Sequence, residues 1–401
     1  MFRHVIGRFV GLVGVSTFLV STLLGPSALA QKNKPPEEDP EIKLGRENAK
    51  ANDETPGMRL ITDAKLLDRV NKIGQEIAAV ANVEKVSATW GSDQVKKFPY
   101  SFKIVDDKDV NAYSLPGGFI YVNKGTLDYV HSDDELAGVL AHEIAHAAHH
   151  HMMKLIREQN KMQPLSLLIL LAAVLANKGT DVGALAIASQ LYMVAKLNSL
   201  GVEAEKDADQ AGIHYLTKTH YNPVGLLTFM ERLARDESRR PEQVLGIYKT
   251  HPPSPERAKS ALALLEDLTI PINRHATDPY LSAQVATVKV NGVDLAEVTV
   301  SKKMITRLAA AQGQSGVARA EKFSDLLNGL MDQDLQQYEV KLSPDKRGIV
   351  ARGKLLLLFA DEDAAAQNLQ LAALAQGALD AIRNLIWQTQ FDRVPSAATG
   401  H

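Results

Sequence analysis

The sequence contains no cysteine among its 401 residues. That absence excludes disulfides, thiolate metal ligands, a cysteine nucleophile and a lipid-modified cysteine anchor. An excess of one charge sign is lacking too: 45 Lys and Arg stand against 47 Asp and Glu, a formal net charge of −2. No global field recruits nucleic acid or an anionic membrane, and no nucleic-acid partner is expected. Long hydrophobic runs are also missing. The apolar stretches Phe9 to Leu24, Pro164 to Ala176 and Val182 to Leu197 all fall short of the roughly 20 residues a helix needs to cross a bilayer. The second and third read as buried helices, with contact at a membrane surface as the competing reading, compatible but not required. What remains is ordinary globular composition, 45% hydrophobic and 23% charged, in a chain long enough for two compact domains.

Residues 1–30 read as a cleavable secretory signal. Arg3 and Arg8 precede the first apolar run, Pro26 breaks it, and Ala28-Leu29-Ala30 gives the small-x-small pattern before Gln31. The expected location is periplasmic or secreted; the competing reading keeps the segment as an N-terminal membrane anchor. Residues 31–56 are polar and rich in Pro, Glu, Lys and Asn, and read as a linker. The main domain is expected over 57–270 and a C-terminal α+β domain of unknown function over 271–401.

Periodicity outlines the elements. Leu66, Leu67, Val70, Ile73, Ile77 and Val80 recur at helical spacing, and Tyr100 to Val105 alternates like a strand. Leu115-Pro116-Gly117-Gly118 is a turn before the β-prone Phe119 to Val122. Ser132 and Glu135 fit a capping box at the start of a helix that runs beyond His146. Further helices are expected over 202–216 and 223–235, and a Pro-rich turn over 250–255. Val285 to Val290 and Val293 to Val300 read as a hairpin across Asn291-Gly292. Tyr338 to Leu342 pairs with Ile349 to Phe359, and a helix follows from Ala364 to Trp387.

The chemistry is concentrated at His142-Glu143-Ile144-Ala145-His146. Side chains four apart on a helix lie one above the other, so two imidazoles at that spacing grip one ion. Glu143 stands beside them, placed to take a proton from water at the ion. Zinc suits nitrogen and carboxylate ligands, and this pattern in a capped apolar helix is a metallopeptidase signature. His149, His150 and His151 follow directly, but Ala147 occupies the place of the base in that register. They read as non-catalytic residues at the helix end or in support of the ligands.

A catalytic zinc needs a third protein ligand and an open position. No histidine follows at metzincin spacing, so a downstream carboxylate is expected. Glu203-Ala204-Glu205-Lys206-Asp207-Ala208-Asp209 offers four. Glu205, Asp209, Gly212 and Leu216 share a face that becomes small and apolar, while Glu203, Asp207, Gln210 and His214 share a polar one. The first face is the better interior, which makes Glu205 the ligand. Asp209, one turn later, would accept a hydrogen bond from the far nitrogen of a liganding histidine.

These residues, with Asn111-Ala112-Tyr113-Ser114-Leu115-Pro116-Gly117-Gly118 before them and Thr250-His251-Pro252 and Glu256-Arg257 after, resemble the gluzincin family. That family includes the heat-shock protease HtpX, the CAAX prenyl endopeptidases and the periplasmic β-barrel-assembly-enhancing protease. The likeness covers roughly Leu44 to Leu265 and is strongest to the soluble periplasmic members. It implies one zinc per chain on His142, His146 and Glu205, with Glu143 as general base. It also implies a mainly helical zincin-like α+β domain with a small sheet.

Gly118, Phe119, Ile120, Tyr121 and Val122 resemble the family's edge strand, which binds an extended polypeptide substrate. His251 matches a histidine that closes the zinc in some periplasmic relatives. The expected function is a zinc-dependent endopeptidase acting on unfolded or misassembled envelope proteins. The alternative is a zinc-bound periplasmic chaperone or assembly factor with little turnover. An envelope partner is expected to dock through the C-terminal domain. Two departures stand out: the family's Ser-Arg before the ligand glutamate is replaced by Asn198-Ser199-Leu200-Gly201, and tetratricopeptide repeats are absent.

Overall fold

The computed structural model describes residues 38–161, 201–239, 251 and 255–390. The signal segment, both later apolar stretches and most of the Pro-rich turn lie outside the described residues. The first finding is a correction. Part of the polar stretch read as a linker is helix α1, Pro40–Asp53. Asp39 caps it by accepting from the Glu41 and Ile42 amides, and Pro40 sits at the first turn, where its missing N–H costs nothing. Composition concealed this helix because it buries little apolar surface; Glu41, Gly45 and Ala49 are its buried positions. Gly45 is required there, since a Cβ would lie 1.7 Å from the Pro116 carbonyl oxygen.

Helix α2, Ala64–Ala81, carries the expected apolar stripe. It packs on a three-stranded sheet of β1 (Ser101–Val105), β2 (Ala112–Leu115) and β3 (Phe119–Asn123). The strand order is β1-β3-β2, with β3 parallel to β1 and antiparallel to β2. Beyond the short α3, Lys124–Tyr129, runs α4, Asp133–Ala148. Ser132 caps α4 by accepting from the Glu135 amide at 3.1 Å. The other half of the expected box is displaced by one residue, because the Glu135 carboxylate accepts from the His131 amide.

The helix ends where His150 takes φ of +55°, a left-handed conformation that α-helices cannot continue through. Helix α5 (151–161) starts afresh from there. Helix α6 (201–216) and α7, Val224–Arg239, then pack beside α4. Small residues permit this close approach. A Cβ on Gly138 would lie 2.7 Å from Leu226 Cα, and one on Gly212 3.2 Å from the Ala141 carbonyl carbon. Val70, Ile73, Ile77, Ile104, Ile120, Leu136, Leu140 and Ile144 form one buried core between α2, α4 and the sheet, each contributing about 1.5–3 kcal/mol of burial. Helices α8 (Pro255–Asp267) and α9 (Arg274–Thr277) complete this half.

A separate core lies within 283–386. Strands β4 (Gln284–Val290), β5 (Val293–Val300) and β6 (Lys303–Leu308) form one antiparallel meander, and β7 (Val340–Leu342), β8 (Gly348–Ala351) and β9 (Lys354–Leu358) another. Helices α10 (Gly316–Asp332) and α12 (Leu371–Gln390) cover them, with the short α11 at Asp361–Ala365. The Asn291-Gly292 hairpin is present, with φ of +50° and +84° at the two turn residues. Strand β6 and the split of 349–359 into two strands were not foreseen. Their turns place Ser301, Lys302 and Arg352 at positive φ, positions that carry no Asn-Gly signature.

Candidate metal centre

Helix α4 stacks His142 over His146, and α6 brings Glu205 across from them. The Nε2 atoms of the two histidines lie 3.0 Å apart. His142 Nε2 is 3.3 Å from Glu205 Oε2, and His146 Nε2 is 3.3 Å from Glu205 Oε1. His251 completes the set, its Nδ1 3.3 Å from His142 Nε2 and 3.0 Å from both Glu205 oxygens. The fit to zinc follows from these lengths. Ligand bonds of about 2.0–2.1 Å in a tetrahedron give edges of about 3.3 Å. The donor chemistry fits as well: imidazole nitrogens face one another and a carboxylate, an arrangement of lone pairs that a cation reconciles.

Protein groups alone set the charges here. Burial works against charge on His142, but the carboxylates of Asp209 and Glu205 prevail and push it up to about 10. Burial pushes His146 down to about 3 despite Glu205. Burial would raise Glu205, yet His251, His146 and His142 hold it well below the usual carboxylate range. Asp209 lies behind His142, its Oδ1 2.8 Å from Nδ1. Burial of Asp209 is outweighed by the Arg257 guanidinium, which keeps it low. Arg257 bonds Asp209 through Nε at 2.7 Å and Nη2 at 2.8 Å, and places Nη1 3.0 Å from Glu205. Its family marker was visible in the sequence, but this bracing role was not. Glu143 is 2% exposed, with Oε1 3.4 Å from His251 Nε2 and Oε2 without a hydrogen-bond partner among the described residues.

Two sequence readings change. Asp207 was placed on a polar outer face, yet it is 1% exposed. The loop at Thr89 and Trp90 covers that face and donates two backbone amides and a hydroxyl to Asp207 Oδ1. The residues named as an edge strand, Gly118 to Val122, belong to the β3 region, and β3 is paired on both sides and so is the central strand. The edges of this sheet are β1 and β2; the Pro116-Gly117-Gly118 turn folds β2 back outside β3, against α4. Tyr113, Ser114 and Leu115 of β2 line a cavity of ≈ 240 Å³ together with Glu143, His146 and Met152. His149, His150 and His151 are all buried, His150 through a 2.7 Å bond to Glu41 of α1.

Comparison with known proteins locates the family. Residues 69–265 match the family model described as peptidase family M48. The chain is 26% identical over 288 residues to the β-barrel assembly-enhancing protease of Yersinia pestis, covering 69% of this chain and 56% of that protein. It is 30% identical over 163 residues to the metalloprotease LoiP of Escherichia coli K12, covering 40% and 61%. It is 25% identical over 198 residues to the mitochondrial metalloendopeptidase OMA1 of Schizosaccharomyces pombe, covering 49% and 55%. The chain thus spans little more than half the length of these relatives.

Proposed function

Residues 69–265 belong to peptidase family M48, and from that premise we propose that the chain is a zinc-dependent endopeptidase. The observation that carries the reading is the convergence of His142, His146, Glu205 and His251 at distances of 3.0–3.3 Å beside the buried Glu143. His142, His146 and Glu205 would hold the metal. The chemistry zinc supplies at such a centre is Lewis acidity, which polarises a carbonyl and lowers the pKa of water. Glu143 takes the proton of the attacking water at its carboxylate and delivers it to the leaving amine. Asp209, gripped by Arg257, keeps the Nδ1–H of His142 in place, leaving Nε2 bare for the metal. His251, whose Nδ1 meets the same donor atoms, would be a further ligand and would hold the enzyme closed until it withdraws.

An extended polypeptide adds to β2 by main-chain pairing, which tolerates many sequences. Tyr113 and Leu115 of that strand, with Met152 and Leu155 opposite, offer apolar walls to side chains near the cleavage point. The substrates are unfolded or misassembled envelope proteins, a reading supported by the relative named for β-barrel assembly. The test is digestion of casein by wild type, Glu143→Gln and chelator-treated protein, with metal measured in each. Glu143→Gln is expected to keep its zinc and lose about 10²–10⁴-fold in turnover. Undiminished cleavage by Glu143→Gln would falsify the mechanism.

A further inference from the structure

The two histidines of α4 are supported from behind in different ways. His142 meets Asp209 directly. His146 instead turns its Nδ1 to Nδ1 of His151, 3.0 Å away. His151 Nε2 lies 2.9 Å from Asp207 Oδ2 and 3.2 Å from the Trp90 carbonyl. His149 Nδ1 reaches the same Asp207 oxygen. We propose that His151 is a positioning residue: it accepts the Nδ1–H of His146 and, with Asp207 behind it, fixes the tautomer that aims the His146 Nε2 lone pair at the metal. The proposal rests on the zinc-centre reading above.

Counting protons carries the argument. An ionised carboxylate only accepts, so both rings that meet Asp207 Oδ2 must donate to it. A neutral His151 that donates from Nε2 has a bare Nδ1. The N–H in its contact with His146 must then belong to His146 Nδ1, which leaves His146 Nε2 bare and facing the His142 and Glu205 donor atoms. One tautomer per ring satisfies every contact that His151 makes.

His149, His151 and Asp207 also lie close enough to suggest a second metal site. The same count argues against it. An ion there would claim the lone pair of His151 Nε2 and move the proton to Nδ1. His146 would then accept at Nδ1 and carry a proton on Nε2, the nitrogen that faces the first centre. With neutral rings the two ions exclude each other.

The backbone is shaped for this relay. His150 at φ +55° ends α4 and starts a new turn, which swings His151 back toward His146. Gly91, at φ +100°, lets the 89–92 loop close over it, since a Cβ there would sit 2.7 Å from His151 Cδ2.

The test reads zinc binding and ring protonation rather than turnover. Wild type, His151→Leu and His151→Gln compete for zinc against a chelator of known affinity, and each metal-free protein is melted to report folding. In His151→Leu the His146 N–H loses its acceptor, and zinc affinity is expected to fall about 10–100-fold. In His151→Gln the side-chain carbonyl accepts the same proton and recovers most of the loss. Folded His151→Leu with unchanged affinity overturns the proposal, as does His151→Gln as weak as His151→Leu. Nitrogen NMR of the wild-type imidazoles needs no variant. It should find the proton on Nδ1 of His146 and on Nε2 of His151; the reverse pair, or two zinc ions per chain, overturns the relay. A wild type that binds no zinc removes the metal-centre reading instead, and the ring tautomers in that same sample still decide the role of His151.

Discussion

Charge is buried in both halves of this molecule, with opposite bookkeeping. In the C-terminal layer Asp363 is fully buried, and every contact offers it a donor: the Ala309 amide at 2.7 Å, the Ala360 amide at 2.8 Å and two Arg319 nitrogens at 2.7 Å each. That carboxylate ties the start of α11 to the end of β6 and to α10, and is satisfied by the protein alone. Between α4 and α6 the donors and acceptors do not balance. Ring nitrogens face ring nitrogens, and among the described residues Glu143 Oε2 faces no donor. Buried polar groups that pair completely organise a fold, whereas buried lone pairs that converge on one point call for a cation and mark a site.

The comparison can be broken in four ways. Asp363→Asn should have the largest effect. It leaves the largely covered Arg319 against a neutral partner and is expected to cost about 3 kcal/mol of stability, read by urea unfolding, while bound zinc stays at the wild-type level. Glu205→Gln should do the reverse, weakening zinc by more than the roughly 100-fold that marks the upper range for an outer partner, as measured by metal content after dialysis. If the first variant lost its metal and the second only its stability, the contrast would be wrong.

His251→Ala is expected to raise casein turnover, by roughly tenfold if closure is worth about 1.4 kcal/mol. Unchanged or lower turnover removes the closing role. The smallest effect is a slope. Asp278 lies 2.6 Å from His131 Nδ1, 3.0 Å from Arg232 Nη1 and 3.0 Å from the Tyr280 amide. Burial is outweighed by these partners, so its folded pKa lies below the ordinary value. The unfolded chain therefore binds the proton more readily. Its stabilising contribution is complete above about pH 4 and fades as pH falls through the depressed folded value. Asp278→Asn should flatten the decline of stability below that pH, and an unaltered acid limb would show that Asp278 adds nothing to it.

Much of the centre was legible because helix geometry is local. The spacing of His142, Glu143 and His146 fixes their common face whatever surrounds the helix, and the small apolar face of 205–216 pointed to Glu205 and Asp209. The same wheel argument failed for Asp207. A helical face that looks polar in isolation is solvated only if nothing covers it, and the Thr89-Trp90 loop, more than a hundred residues earlier, does. Helix α1 escaped notice for a related reason. Its evidence is a cap, a proline and one glycine pressed on Pro116, rather than an apolar stripe.

The sequence by itself determined the common face of His142, Glu143 and His146 and much of the alternation of helix and strand, since these depend on spacings within a few residues. Only the tertiary structure decided that β3 is central and β2 an edge, that His251 meets the other donors, and that Asp207 works through His151 on His146. Those depend on contacts between segments far apart in the chain. No local periodicity encodes them, because packing alone decides which polar face is buried and which proton each buried ring must keep.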